Sequence, residues 1–157
     1  MKTKLIFTLI ILVFFTSACF TTKSSPEKNQ AVTQKIQSKD FTIVVNYAYP
    51  MRGRQIYLNS EYNLRIKNDS AFAFLPFFGV AYVISYGSDG GIKFDEPVND
   101  YSISNNKKSN GWDIHFKIKS AEDTYEIYIN IFDNGRSSIT VNSMNKDAIT
   151  YDGEVKK

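Results

Sequence analysis

The chain has 157 residues, enough for one domain, with 19 Lys and Arg against 16 Asp and Glu and a single Cys. One cysteine cannot form an internal bridge, which excludes a disulfide framework. Lys2 and Lys4 lie in an N-terminal segment whose removal lowers the net charge from +3 to +1, so nucleic-acid binding is disfavoured.

The N-terminus has the features of an export signal. Lys2 and Lys4 precede an apolar run from Leu5 to Phe15 in which only Thr8 is polar. A helix of that length spans about 16 Å, roughly half the hydrocarbon core of a bilayer, so the run is too short to cross a membrane. A basic start, a short apolar core and small residues predict a secretory signal peptide over residues 1–18.

The only cysteine follows this segment. The sequence "TSAC", which ends at Cys19, resembles the lipobox of bacterial lipoproteins, in which the chain is cut before a cysteine whose thiol carries diacylglycerol. Thr16 stands where leucine is usual. The resemblance implies a membrane anchor at Cys19. The alternatives are ordinary cleavage after Ala18, which leaves a free thiol, and a cysteine that packs as a small hydrophobe.

The residues after Cys19 indicate a location and a tether. Phe20 and Thr21 include no aspartate of the kind that retains enteric lipoproteins at the inner membrane, so outer-membrane attachment facing the periplasm is expected. Residues 19–26 are polar and aperiodic and predict a tether to a single β-rich domain over residues 27–155. A short helix from about Pro26 to Ser38, with Val32 and Ile36 on one face, is expected to close one end of that domain.

From Phe41 onward, apolar residues recur with a period of two, which predicts strands. "FTIVVNYAY" places Phe41, Ile43, Val45, Tyr47 and Tyr49 on one face, and "WDIHFKIK" directs Trp112, Ile114, Phe116 and Ile118 inward. "DNGR" between two alternating segments is a strong hairpin signal. The predicted fold is mainly β: an antiparallel meander sheet curved into a barrel-like or sandwich form, with a short N-terminal helix.

Three segments resemble a known family: "LPFFGVAY", "GGIKFDEPVNDY" and "GRSSITVNSMNKDAITYDGEV". They are similar to the domain of unknown function 4251 family, small lipoproteins of Gram-negative bacteria. The resemblance implies an exported, β-rich lipoprotein without an established activity. Family members tend to carry arginine at the positions of Val80 and Lys146, so any role of the first arginine does not transfer to this chain.

The stretch "SAFAFLPFFGVAYVISYG" is crowded with aromatic side chains around Pro76 and Gly79, which predict a bend. In a curved sheet such rings can line an apolar pocket with tyrosine hydroxyls at its mouth. The candidate pocket residues are Phe74, Phe78, Tyr82 and Tyr86. The alternative is that the large rings simply fill the core of a small β domain.

Catalytic signals are weak. His115 is the sole histidine, which excludes a site of paired imidazoles, and its place in the alternation predicts a solvent-facing side chain. Four acids, Asp89, Asp95, Glu96 and Asp100, lack the spacing of a calcium loop. We therefore predict no catalytic residue, no metal and no cofactor.

The sequence as a whole favours a non-enzymatic cell-envelope lipoprotein that binds a small apolar ligand or an envelope partner. A structural or protein-interaction module with a filled core is the alternative, and a hydrolase is less favoured. The expected partners are the membrane, reached through the lipid anchor, and the apolar ligand or envelope protein, with no nucleic acid.

Overall fold

A computed structural model describes residues 26–83, 90–106 and 110–156. The signal peptide, Cys19 and most of the tether lie outside these ranges, as does Tyr86. The described chain forms one helix and nine strands: α1 (Pro26–Gln37), β1 (Asp40–Pro50), β2 (Ile56–Lys67), β3 (Ser70–Leu75), β4 (Ile92–Pro97), β5 (Asn99–Asn106), β6 (Gly111–Lys119), β7 (Thr124–Phe132), β8 (Arg136–Ser143) and β9 (Ile149–Val155).

All nine strands belong to one antiparallel sheet with the order β4-β3-β2-β1-β9-β8-β7-β6-β5. Strands β4 and β5 form the two edges of this sheet, yet only Val98 separates them in the sequence. The two edges are therefore joined by a single residue, and the sheet curves into a nearly closed barrel. The predicted mainly-β, barrel-like fold is confirmed.

Alternation along the strands builds the interior. Strand β7 shows the pattern clearly, because Tyr125, Ile127, Ile129 and Ile131 are all at most 1% exposed while the residues between them are not buried. The equivalent positions of the other strands join them in one hydrophobic cluster, which includes Leu64, Phe116, Ile139 and Tyr151. Dry packing of this kind is the main favourable term in the stability of the domain.

Strand β1 departs from the predicted alternation. Phe41, Ile43 and Val45 are buried as expected, but Tyr47 is 37% exposed and Ala48 is fully buried. The pairing of β1 with both β2 and β9 shifts between Val45 and Tyr47, which is the mark of a β-bulge. One extra residue reverses the inward and outward faces, so the prediction that Tyr47 and Tyr49 share the face of Phe41 is wrong.

The helix closes one end of the barrel, which we call the helix end. Ile36 is fully buried and Val32 packs against the core, as the four-residue spacing predicted. Lys35 Nζ donates a hydrogen bond of 2.8 Å to the carbonyl of Lys156, and the amide of Asn68 donates to the carbonyl of Lys39. The helix end thus gathers α1, the β2–β3 turn and the end of β9.

The predicted hairpin at "DNGR" is also present at the helix end. Strand β7 ends at Phe132 and β8 begins at Arg136. Gly135 has φ +86°, a conformation that glycine adopts without a steric penalty. The turn is closed by the amide of Gly135, which donates 2.9 Å to the carbonyl of Phe132.

Candidate functional site

Phe74 of β3 is an aromatic side chain on the outer face of the sheet, beside Tyr62 of β2 and Lys93 of β4. Ala73 and Leu75 point into the barrel, so alternation directs Phe74 between them outward, where it is 38% exposed. The rings of Phe74 and Tyr62 stack with centroids 5.4 Å apart. Lys93 lies opposite Phe74 on β4, and its Nζ is 5.0 Å from the centre of the Phe74 ring. This distance is within the range of a cation–π interaction.

A cavity of about 210 Å³ adjoins this aromatic pair. We call it the aromatic cavity, and it is lined by Tyr62, Phe74, Leu75, Pro76, Phe77, Gly91 and Lys93. None of the described residues that line it is acidic. The aromatic cavity is open to solvent on one side, and its volume is sufficient for one ring or a short chain segment to lie against Phe74.

A second hollow on the same outer face has a different character. It has a volume of about 270 Å³ and is lined by Arg65, Lys67, Asn68, Ser70, Phe72 and Asp95. Phe72 is its single aromatic residue, and the Arg65 guanidinium lies 5.3 Å from the centre of that ring. Polar groups of both charges dominate this hollow, so the aromatic cavity is the better site for an apolar ligand.

The margins of the aromatic cavity are fixed by hydrogen bonds from the β8–β9 region. Tyr151, fully buried in the barrel, donates its hydroxyl to the carbonyl of Pro76 at 2.6 Å. Lys146 Nζ donates to the carbonyl of Gly91 at 2.8 Å and lies 5.7 Å from the Phe77 ring centre. Because Pro76 and Gly91 both line the cavity, these two bonds hold the two ends of the β3–β4 connection in place.

Asp147 holds the middle of the same connection. Its carboxylate accepts hydrogen bonds from the Tyr82 hydroxyl and from the amide of Val80, and its own amide donates 2.9 Å to the carbonyl of Val80. The hydrogen bond from Tyr82 is the main cause of a lowered pKa of Asp147, and the bond from the Val80 amide lowers this pKa further. We call the bonds made by Lys146, Asp147 and Tyr151 to this connection the polar latch.

Comparison with protein families decides the classification. The model of the DUF4251 family, a domain of unknown function, matches residues 23–155. The chain belongs to the DUF4251 family. The predicted resemblance is therefore confirmed, and the DUF4251 match includes both the aromatic cavity and the polar latch.

Solved structures agree with this classification. A crystal structure of a DUF4251 family protein from Bacteroides eggerthii is similar to this chain with a TM-score of 0.64 and 16% sequence identity. The similarity covers 82% of this chain and 87% of that chain. At this identity the likeness supports the DUF4251 fold alone. The comparison with curated proteins finds no match.

The four predicted pocket residues have different surroundings. Phe74 lines the aromatic cavity, whereas Phe78 is half-buried and packs against the core. Tyr82 is 65% exposed and donates to Asp147. Tyr86 lies outside the described residues, so a pocket shared by all four stays a prediction.

Of the seven residues that line the aromatic cavity, the sequence identified only Phe74 as a pocket residue; the six that it missed include Tyr62, Phe77 and Lys93. Tyr62 packs against the core and also stacks on Phe74. A cross-strand register would have found it, since Asn63 pairs with Phe74 and places Tyr62 beside that ring.

Polar groups elsewhere in the described part of the chain form a smaller set of contacts. His115 Nε2 lies 3.0 Å from Glu126 Oε1 on the outer face of β6 and β7, and this hydrogen bond is the main cause of the lowered pKa of Glu126. Among the described residues, no group of three or more His, Cys, Asp or Glu side chains is placed to hold a metal. The same part of the chain has no helix with the length and apolar character needed to cross a bilayer.

Proposed function

We propose that this DUF4251 protein is an exported cell-envelope lipoprotein whose β domain binds a small apolar ligand in the aromatic cavity without transforming it. The observation that carries the binding proposal is the stacked pair of Tyr62 and Phe74, partly exposed at the wall of a concave site. The lipobox-like "TSAC" supports the anchor at Cys19.

The physical argument for a ligand is the cost of leaving an aromatic surface in water. Full burial of a Phe side chain is worth about 1.5–3 kcal/mol, and 38% of Phe74 remains exposed. A ligand that covers the ring would recover part of this free energy. The walls are already held by the polar latch, so little conformational entropy would be lost on binding.

A protein-interaction module is the second candidate, and a different surface favours it. The barrel end opposite the helix, which we call the loop end, contains the β1–β2, β3–β4, β6–β7 and β8–β9 connections. Large exposed apolar side chains gather at these connections: Met51, Val80, Tyr82, Val83 and Met144, of which Met144 is 77% exposed. Clustered exposed apolar side chains of this kind are typical of surfaces that meet a partner.

The binding proposal is tested by recovering what the cavity holds. The acylated protein would be purified from its native envelope, and co-eluting small molecules would be identified by mass spectrometry. We expect a recurrent apolar compound with the native chain and its loss in Phe74→Ala. Phe72→Ala is the matched control, because Phe72 lies two residues away on the same face of β3 but outside the aromatic cavity. Equal recovery with Phe74→Ala and the native chain would refute the proposed site.

A separate experiment tests the anchor. Cys19→Ala is expected to release the protein from the membrane fraction, whereas Ser24→Ala in the predicted tether should leave it bound. Mass spectrometry of the N-terminal peptide should show a diacylglyceryl group on Cys19, and density-gradient fractionation should place the protein with outer-membrane markers. An unmodified Cys19 thiol, or continued membrane retention of Cys19→Ala, would contradict lipidation.

A further inference from the structure

We infer that the ligand of the aromatic cavity carries an aromatic ring, and that the π face of this ring lies against the edge of Phe74. This inference rests on the proposed binding function and adds the chemical class of the ligand. A saturated ring of the same size would fill the space equally well, so the inference separates aromatic from aliphatic ligands. The contacts that Phe74 makes with Tyr62 and Lys93 are the observations that support it.

Rings make up most of the cavity wall. Of the seven described residues that line it, Tyr62, Phe74 and Phe77 carry aromatic rings and Pro76 a saturated one. Two aromatic rings in an offset or edge-to-face arrangement attract each other beyond the effect of the area they bury, by about twofold to tenfold in binding. A saturated ligand gains from the buried area alone. The composition of the wall therefore favours an aromatic ligand.

The two sides of the Phe74 ring already meet other side chains. Tyr62 of β2 stacks on this ring with centroids 5.4 Å apart and an angle of 29° between the ring planes. The Nζ atom of Lys93, on β4, lies 5.0 Å from the centre of the same ring. Because β2 and β4 are the two neighbours of β3, these side chains approach Phe74 from opposite directions. The part of the ring that a ligand can contact is therefore mainly its C–H edge.

The edge of an aromatic ring attracts a particular kind of neighbour. The π faces of such a ring are negative and its C–H edge is positive, so the edge of one ring favours the π face of another with centroids about 4.5–7 Å apart. The outer face of this sheet already contains such a pair, because Tyr47 and Tyr57 meet at 62° with centroids 5.5 Å apart. A ligand ring that lies across the Phe74 edge would form the same contact.

An edge-to-face contact also requires a wall that keeps its shape. The carbonyl of Pro76 accepts 2.6 Å from Tyr151, and the carbonyl of Gly91 accepts 2.8 Å from Lys146. Both carbonyls belong to residues that line the cavity, so the wall beside Phe74 is fixed before a ligand arrives. With a volume of about 210 Å³, the cavity limits the ligand to one ring against this wall.

Three alcohols that differ only in their ring test this inference: 3-phenylpropan-1-ol, 3-cyclohexylpropan-1-ol and 3-(pentafluorophenyl)propan-1-ol. The cyclohexyl group has more apolar area than the phenyl group, so burial alone would favour it. Fluorine substitution reverses the charge distribution of the ring, which makes its π face positive and unfavourable beside a C–H edge. The three probes therefore separate the effect of burial from the effect of the π face.

Binding to the acylated protein in lipid nanodiscs would be measured by equilibrium dialysis, with empty nanodiscs as the correction for partition into lipid. We expect the phenyl alcohol to bind about twofold to tenfold more tightly than the cyclohexyl alcohol. The pentafluorophenyl alcohol should bind more weakly than the phenyl alcohol.

A substitution assigns the preference to one ring. Phe74→Leu keeps an apolar side chain but removes the aromatic edge, so it should abolish the advantage of the phenyl alcohol while the cyclohexyl alcohol still binds. Thermal unfolding would show that the variant is folded, as expected for a side chain that is 38% exposed. Phe72→Leu is the matched control, because Phe72 lies on the same face of β3 and lines only the polar hollow.

The outcomes separate this inference from the proposed function. Equal or tighter binding of the cyclohexyl alcohol, or an unchanged preference in Phe74→Leu, would overturn the aromatic ligand and leave apolar binding intact. Tighter binding of the pentafluorophenyl alcohol than of the phenyl alcohol would overturn the contact with the Phe74 edge. Absence of binding by all three probes would overturn both the inference and the binding function.

Discussion

The two ends of the barrel are closed by different kinds of interaction. At the helix end, α1 inserts Ile36 into the core and packs Val32 against it, so apolar contact closes the barrel. At the loop end, the polar latch holds the β3–β4 connection by directed hydrogen bonds from Lys146, Asp147 and Tyr151.

A hollow lies near each end of the barrel. The hollow beside the β2–β3 turn at the helix end is lined mainly by polar side chains, whereas the candidate site lies near the loop end. Hydrogen bonds at the loop end fix particular atoms at particular distances. The aromatic cavity lies beside two carbonyls, those of Pro76 and Gly91, that are fixed in this way.

The largest loss of stability is expected when the apolar contact at the helix end is removed. Ile36→Ala removes a fully buried side chain and should lower the free energy of unfolding by about 2–5 kcal/mol, measured by urea denaturation. Gln37→Ala, at an exposed position one residue later, is the control and should change stability little. A loss below about 1 kcal/mol for Ile36→Ala would show that the helix does not close this end.

Substitutions of two buried tyrosines distinguish the contribution of the polar latch to stability from that of apolar packing. Tyr151→Phe leaves the Pro76 carbonyl without its donor and should cost about 1–3 kcal/mol of unfolding free energy. Tyr125→Phe is the matched control, since the Tyr125 hydroxyl is also buried but makes no hydrogen bond among the described residues. Removing it should be neutral or stabilising. Equal losses in the two variants would contradict a specific role for the Tyr151 bond.

Acid should weaken the latch through Asp147. Its pKa is lowered in the folded protein, so its contribution to stability is present above the unfolded pKa of about 3.9 and is lost as the pH falls through the folded value. Asp147→Asn should therefore show a shallower loss of stability between about pH 5 and pH 2. The effect should be smaller than that of Tyr151→Phe, because Tyr82, the main partner of Asp147, is exposed.

Denaturant midpoints measured across this pH range check the prediction, with Asp95→Asn as a control on the outer face. Some acid dependence should persist in Asp147→Asn, since the pKa of Glu126 is also lowered. If stability falls with decreasing pH as steeply in Asp147→Asn as in the native chain, this carboxylate does not act as part of the latch.

The smallest effect is expected from an exposed ion pair at the helix end, which adds to the hydrogen bonds of Lys35 and Asn68 there. Lys39 Nζ lies 3.3 Å from Asp69 Oδ1, and the Asp69 side chain is 89% exposed. Solvent screens such a pair, so Asp69→Asn should change the free energy of unfolding by less than about 1 kcal/mol in thermal or urea unfolding. A larger loss would mean that the helix end also depends on polar bonds, which would remove the contrast between the two ends.

The sequence predicted what depends on local periodicity. Alternation along β6 and β7 and the hairpin at Gly135 are confirmed, and so is the helix that carries Ile36. These features follow from spacing and turn chemistry, which a single chain displays directly. The prediction from alternation was wrong at Tyr47 because one inserted residue shifts the register of β1. No residue type in this strand indicates the bulge.

The candidate site was less predictable because it depends on pairing between distant segments. Phe74 was identified from its aromatic surroundings, but Tyr62 joins it only through the register of β2 and β3. Lys146 lies 55 residues after Gly91 in the chain and reaches the Gly91 carbonyl only in the folded sheet. A pattern of one strand contains no information on either contact.

The two edge strands that Val98 joins, β4 and β5, both have features that oppose self-association. An edge strand has unpaired amides and carbonyls on which another chain can align. Pro97 at the β4 edge and the irregular pairing around Asp100 at the β5 edge both oppose such alignment. Both edges therefore disfavour strand pairing between neighbouring copies of this chain.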